Sequence, residues 1–299
     1  MESKMSTWKQ NKLITLVATT LLSSPLLAGP IVTQWGFSTD SKFSDATFNT
    51  GTGTTSTSDY ELSWGNGSGD YTSPTANASN NRSALTVGSS LTNKTGGGPA
   101  TGVINTTIGG TPDILAGQIG FGTTFTHWNN PISGNFATLT SAKVTDSLTL
   151  TPLLPSLGAD ISAPTLEFNF QFRETPNNGP CAGGTATPCG DLFGFAGTPN
   201  LNLLVPYDGN NYFASIFVLN EDLSASPIAY LNDGQCAALG FTTGTSGQRC
   251  QGFLTAESAW TTVQFGFAIT TSPIEVPEPA PLALLGLGLV LAGLRRKSA

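Results

Sequence analysis

The octapeptide Leu166-Glu-Phe-Asn-Phe-Gln-Phe-Arg173 alternates apolar and polar side chains at every position. A period of two places all four apolar residues on one side of a strand, whereas a helix would scatter them around its axis. Val263-Gln-Phe-Gly-Phe-Ala-Ile-Thr270 shows a similar pattern. Further strands are expected at Ser147–Leu150, Leu192–Phe195, Tyr212–Leu219 and Ile228–Leu231, separated by turn chemistry at Asp208-Gly-Asn-Asn211 and Asn232-Asp-Gly234. Ile31–Phe37 has strand composition, but from Ser38 to Thr111 Ser, Thr, Asn and Gly dominate. Only short strands are expected there, at Tyr60–Trp64 and Ala84–Val87, and disorder stands as an alternative for Asn49–Ser58. No ten-residue amphipathic helical pattern occurs between the two ends of the chain. The fold class predicted is all-β: an antiparallel β-sandwich, jelly-roll-like, with long Gly/Ser/Thr/Asn-rich loops. Phe168, Phe170, Phe172, Phe265 and Phe267 should lie inside, each fully buried ring contributing roughly 1.5–3 kcal/mol.

The ends have a different character. Lys4, Lys9 and Lys12 precede a mostly apolar run from Leu13 to Leu27, the order of a secretory signal peptide, with cleavage expected after Ala28. Near the other end Pro277-Glu-Pro279 precedes an uncharged run, Ala280–Leu294, and a basic cluster, Arg295, Arg296 and Lys297. Fifteen helical residues span roughly 22 Å against a hydrocarbon core of about 30 Å, so a transmembrane segment there is short. The three cations would hold its end on the cytoplasmic side. The expected division is a signal peptide at 1–28, an exported body at 29–273, a linker at 274–279, a transmembrane helix at 280–294 and a basic tail at 295–299.

Six of the twelve basic residues fall before Gly29 or after Pro279, and only one of the nineteen acidic ones does. Body and linker together, Gly29 to Pro279, therefore carry eighteen acids against six scattered bases, the opposite of the field that a polyphosphate demands, and nucleic acid is excluded as an expected partner. Cys181, Cys189, Cys236 and Cys250 all lie in the body. An even count in an oxidising compartment argues for disulfides. Of three connectivities the local one, Cys181–Cys189 with Cys236–Cys250, is favoured because each pair brackets a Gly-rich loop; the other two stay open. The spacings lack a zinc pattern.

His127, in Phe125-Thr-His-Trp-Asn-Asn-Pro-Ile132, is the chain's one histidine. It could serve as a general base, but no Gly-x-Ser-x-Gly elbow and no partner can be identified. Asn129 and Asn130 before Pro131 read instead as a turn within which His127 would hydrogen-bond. Asp208, Glu221, Asp222 and Asp233 lie in or near turns. They leave calcium as a possible ligand and a glycosidase-like pair as a weaker alternative. No catalytic residue, no metal ligand and no other cofactor is assigned.

Pro277, Glu278 and Pro279, followed by the short apolar run and basic stop, resemble the PEP-CTERM sorting signal of Gram-negative bacteria that make extracellular polysaccharide. The resemblance implies cutting by the membrane enzyme exosortase after transient lodging in the inner membrane. Thr126, His127 and Asn129 also match the motif naming the THxN family of PEP-CTERM proteins, which implies an identity and a route out of the cell but no reaction. The expectation is an exported, non-enzymatic surface or extracellular-matrix protein working among extracellular polysaccharides. The alternatives are a carbohydrate-binding or adhesin module, with Trp64, Trp128 or Tyr212 exposed on a concave face, and a secreted hydrolase.

Overall fold

The structure, a computed structural model, describes residues 28–73, 77–113, 115–156, 158–177, 180–182, 189–195, 202–222, 228–242 and 250–275. The signal segment up to residue 27, the sorting tripeptide Pro277–Pro279, the apolar run and the basic cluster Arg295–Lys297 lie outside them. Among the described residues fifteen strands form two antiparallel sheets. The first runs in the order β13 (Ala229–Tyr230), β14 (Gln251–Thr255), β10 (Asp191–Phe195), β9 (Leu166–Arg173), β7 (Leu139–Leu154), β1 (Gln34–Phe48) and β5 (Ala100–Asn105), with β8 (Ile161–Ser162) added to β7. The second runs in the order β11 (Leu203–Tyr207), β12 (Asn210–Asn220), β15 (Ala259–Thr270), β6 (Gly120–Asn129), β4 (Arg82–Gly88), β3 (Glu61–Gly65) and β2 (Thr54–Thr57). The chain passes repeatedly from one sheet to the other, as in a jelly roll, so strands distant in sequence become neighbours: β1 lies between β5 and β7, and β15 between β6 and β12. No helix among the described residues is long and apolar enough to cross a membrane.

The longest strands come partly from sequence that reads as loop. β1 runs fifteen residues through Ser38–Phe48 because both its edges are occupied, by β5 over Gln34–Thr39 and by β7 over Gln34–Phe48. Its polar residues alternate inward, where Thr39 and Ser41 are buried; the Ser41 hydroxyl donates to Asp146 Oδ1 at 2.9 Å and meets Thr123 Oγ1 from the opposite sheet. Residues 54–57, inside the stretch where disorder was an alternative, form β2 against β3, Thr54 facing Gly65 and Thr57 facing Leu62. Asp208 and Gly209 both take positive φ, 47° and 76°, between the paired Tyr207 and Asn210. That is the two-residue turn whose twist suits a hairpin.

Asn232-Asp-Gly234 departs from the expected turn and starts a helix, α1 (Asp233–Ala238). The Asn232 side chain accepts from Gln235 N and the Gln235 side chain accepts from Asn232 N, both at 2.9 Å, a reciprocal cap that outweighs the glycine's preference for a turn.

Between the sheets lie two aromatic-rich clusters. One centres on Phe125, which meets Phe43, Phe170, Phe193 and Phe253 of the facing sheet with centroids 4.9–6.4 Å apart. The other centres on Trp35, edge-on to Tyr212 at 5.2 Å. Phe170, Phe172 and Phe267 are buried as expected, while Phe168 and Phe265 are half-buried and stack on each other at 6.4 Å. The disulfides are Cys181–Cys189 and Cys236–Cys250, the local pairing. The second is buried against Leu192, Leu231 and Leu239, so it belongs to a small core of its own.

Candidate functional site

β6 carries the Thr126–Asn129 segment as strand, not as turn. Asn129 still pairs with Ala259, and the chain turns only afterwards. The alternation of a strand then divides the motif. Thr126 points outward, its hydroxyl 3.1 Å from that of Thr262. His127 and Asn129 point inward with Phe125, and both have zero exposure. His127 therefore makes no hydrogen bond within a turn. Its ring lies 5.0 Å from Phe172 and 6.3 Å from Trp64, and neither of its nitrogens has a hydrogen-bond partner. Asn130, the residue that does enter the turn, donates to Tyr71 O and Arg82 O at 2.7 Å.

Three carboxyl groups converge on this corner. Glu174 follows the last residue of β9, Asp191 opens β10 opposite Thr255 of β14, and Glu257 sits in the tight β14–β15 turn, where Ser258 has φ 59°. Taking one oxygen from each, the three lie within 4.8 Å of one another. Asp191 Oδ1 accepts from Thr175 N at 2.8 Å and from the Thr175 hydroxyl at 3.2 Å. Glu174 Oε2 accepts from the Trp64 indole at 2.8 Å, and Asn129 Nδ2 donates to Thr255 O at 2.8 Å. His127 Nε2 lies 3.7 Å from Asp191 Oδ2.

Burial governs the charges. It pushes the His127 imidazole down to about 3, so the ring is neutral. It raises Glu257 to about 7, with the neighbouring Asn129 amide opposing the rise. Asp191 is pushed up by burial first and then by the charge of Glu174; Glu174 is pushed up by burial and by Glu257, the Trp64 indole opposing. The contact between His127 and Asp191 is accordingly not an ion pair. What the corner offers is a set of oxygen acceptors and a neutral imidazole, closed off from solvent at His127.

None of these three acids stands out in the sequence, because the topology brings them together from two separate connections, β9–β10 and β14–β15. The turn acids that did stand out are apart: Asp208 is in the β11–β12 turn, Glu221 pairs with Lys94 at 2.6 Å, and Asp233 opens α1. The one legible sign was a histidine and an asparagine on the apolar face of a strand, which demands polar partners from elsewhere in the fold.

A second feature lies on the outer face of the β6 sheet. Trp64 and Tyr212 are fully buried and cannot present a binding surface. Trp128 does face outward, half-buried, its indole donating to Thr86 Oγ1 at 2.9 Å. Directly across the ladder is Trp260, 54% exposed, with ring centroids 5.7 Å apart; Tyr71 adds a third ring 6.0 Å from Trp128. Lys94 Nζ lies 5.6 Å from the Trp260 ring.

The chain matches no curated protein and no solved structure at a significant level. The profile described as the PEP-CTERM protein-sorting motif matches residues 275–297, which contain Pro277, Glu278, Pro279 and the basic cluster. The chain therefore carries a PEP-CTERM sorting motif, which makes it an exported, exosortase-targeted protein sent through the membrane to the cell surface.

Proposed function

We propose that the body is a non-enzymatic surface or matrix protein that associates with extracellular polysaccharide after exosortase has processed its tail, in a Gram-negative host. The observation that carries this reading is the Trp260–Trp128–Tyr71 strip on the outer face of the second sheet. The C–H face of a pyranose packs against an aromatic ring, and large amphipathic rings on a stiff sheet present that surface at little cost in side-chain freedom. Lys94 lies at the margin of the strip, paired with Glu221. A non-enzymatic role is supported by the burial of His127, which has no nucleophile in hydrogen-bond reach and no exposed surface for a substrate to touch.

The test has two arms. Polysaccharide purified from the producing cells should co-sediment with the wild-type protein and release a Trp260→Ala variant; equal retention of both would overturn the surface assignment. Glu278→Ala should leave uncut chain in the inner membrane, and unchanged maturation of that variant would overturn processing at the tripeptide. Binding of one defined glycan on an array, lost in Trp260→Ala, would favour a specific carbohydrate-binding or adhesin module over general matrix association.

A further inference from the structure

Eleven buried side-chain nitrogen and oxygen atoms lack a hydrogen-bond partner among the described residues, and eight of them belong to the corner between β6, β9–β10 and β14–β15. They are both nitrogens of His127, Asn129 Oδ1, Glu174 Oε1, Asp191 Oδ2, Thr255 Oγ1 and both carboxylate oxygens of Glu257. Each buried acceptor without a partner costs about 1–3 kcal/mol, and native folds carry few of them. So many in one place mark a spot where something other than protein completes the bonding.

The pattern of satisfied atoms says what that is. Glu174 has one oxygen tied to the Trp64 indole and Asp191 has one tied to Thr175, and the second oxygen of each is left to the facing carboxyl or to a ligand. Asn129 is held through its Nδ2 on Thr255 O, which frees Oδ1. Side chains pinned at one atom and open at the other are how proteins orient ligands to a metal. Among the described residues no Lys or Arg forms an ion pair with any of the three carboxyls. Water could donate to these oxygens, but it brings no positive charge to three converging carboxyl groups, whereas a cation would hold all three ionised.

We propose that this corner is a calcium site, with Glu174, Asp191 and Glu257 as carboxylate ligands, Asn129 Oδ1 as a neutral oxygen ligand, and His127 packed against Asp191 as the wall behind it. Oxygen atoms around Ca²⁺ at 2.3–2.6 Å stand up to about 5 Å apart, and the three carboxylate oxygens already lie within 4.8 Å. An all-oxygen, three-carboxylate set suits a hard cation. Calcium is preferred to magnesium because it tolerates irregular geometry and gives up its water readily, as a buried site requires. All four cysteines are in disulfides, so no thiolate competes for a softer metal. The ion would tie the ends of β9, β10 and β14 to β6, and so join the two sheets at one end of the sandwich.

The experiment uses the full chain purified in detergent and stripped with a chelator. Titration with Ca²⁺ should show one site per chain by calorimetry and a rise in melting temperature reversed by chelator. Glu257→Gln, at the half-exposed rim of the site, should weaken Ca²⁺ at least tenfold, while Glu221→Gln on the surface should leave it unchanged. Absence of heat and of any melting shift with Ca²⁺ would overturn the proposal, as would wild-type affinity in a folded Glu257→Gln. Tight Zn²⁺ binding without Ca²⁺ binding would also overturn it, by reassigning the site to His127 Nε2. Should Glu257→Gln fail to fold, the wild-type titration decides.

Discussion

Asp146 offers a test of the packing between the sheets that is independent of the polar corner. It lies in β7 with its carboxyl accepting from the Ser41 hydroxyl, and burial raises it from 3.8 to about 6, the Ser41 hydroxyl opposing and the charge of Asp40 adding. A carboxyl whose folded pKa exceeds its unfolded one holds its proton better in the native state. Stability is then fully present below about pH 4, falls between about pH 4 and 6, and levels off above that window. The gap between 3.8 and about 6 corresponds to about 3 kcal/mol at neutral pH. Asp146→Asn keeps an oxygen to accept from Ser41 and abolishes the charge. The variant should match wild type near pH 4 and exceed it by about 2–3 kcal/mol at pH 8, a rise of about 5–10 °C in melting temperature. Urea unfolding followed by tryptophan fluorescence at a series of pH values measures the difference. A variant less stable than wild type by the same amount at both ends of the range would refute the argument, since the carboxylate would then be a net contributor.

Breaking the Cys236–Cys250 disulfide by serine substitution should cost about 3 kcal/mol from loop entropy. Because both sulfurs are buried against Leu231 and Leu239, the loss should exceed that from breaking Cys181–Cys189, which closes the shorter loop; chemical denaturation of the two variants under oxidising conditions ranks them. Gly252→Ala should destabilise by about 1–3 kcal/mol, because a Cβ there meets the Phe193 carbonyl and Gly194 Cα of the neighbouring strand. An Ala variant with wild-type melting temperature would show that β10 and β14 can separate without penalty.

Much of this architecture was legible because alternation survives wherever a strand has one wet face: Leu166–Arg173 became the whole of β9, and Val263–Thr270 the C-terminal part of β15. The length of β1 was not legible. Ser38-Thr-Asp-Ser-Lys42 lacks apolar residues, and its strand character comes from pairing on both edges, a tertiary effect that local propensity does not contain. Asn232-Asp-Gly234 misled for the converse reason, since turn residues and helix caps share the same side-chain chemistry. The polar corner was half visible. His127 and Asn129 were singled out, but Glu174, Asp191 and Glu257 come together only because β9–β10 and β14–β15 close the same end of the sandwich.

A long-wavelength anomalous difference map from crystals grown with Ca²⁺ tests the polar corner most directly. The account predicts a single peak about 2.3–2.6 Å from oxygens of Glu174, Asp191 and Glu257. No peak there, with Glu174 and Asp191 instead sharing a proton in a short carboxyl–carboxyl hydrogen bond, would contradict it.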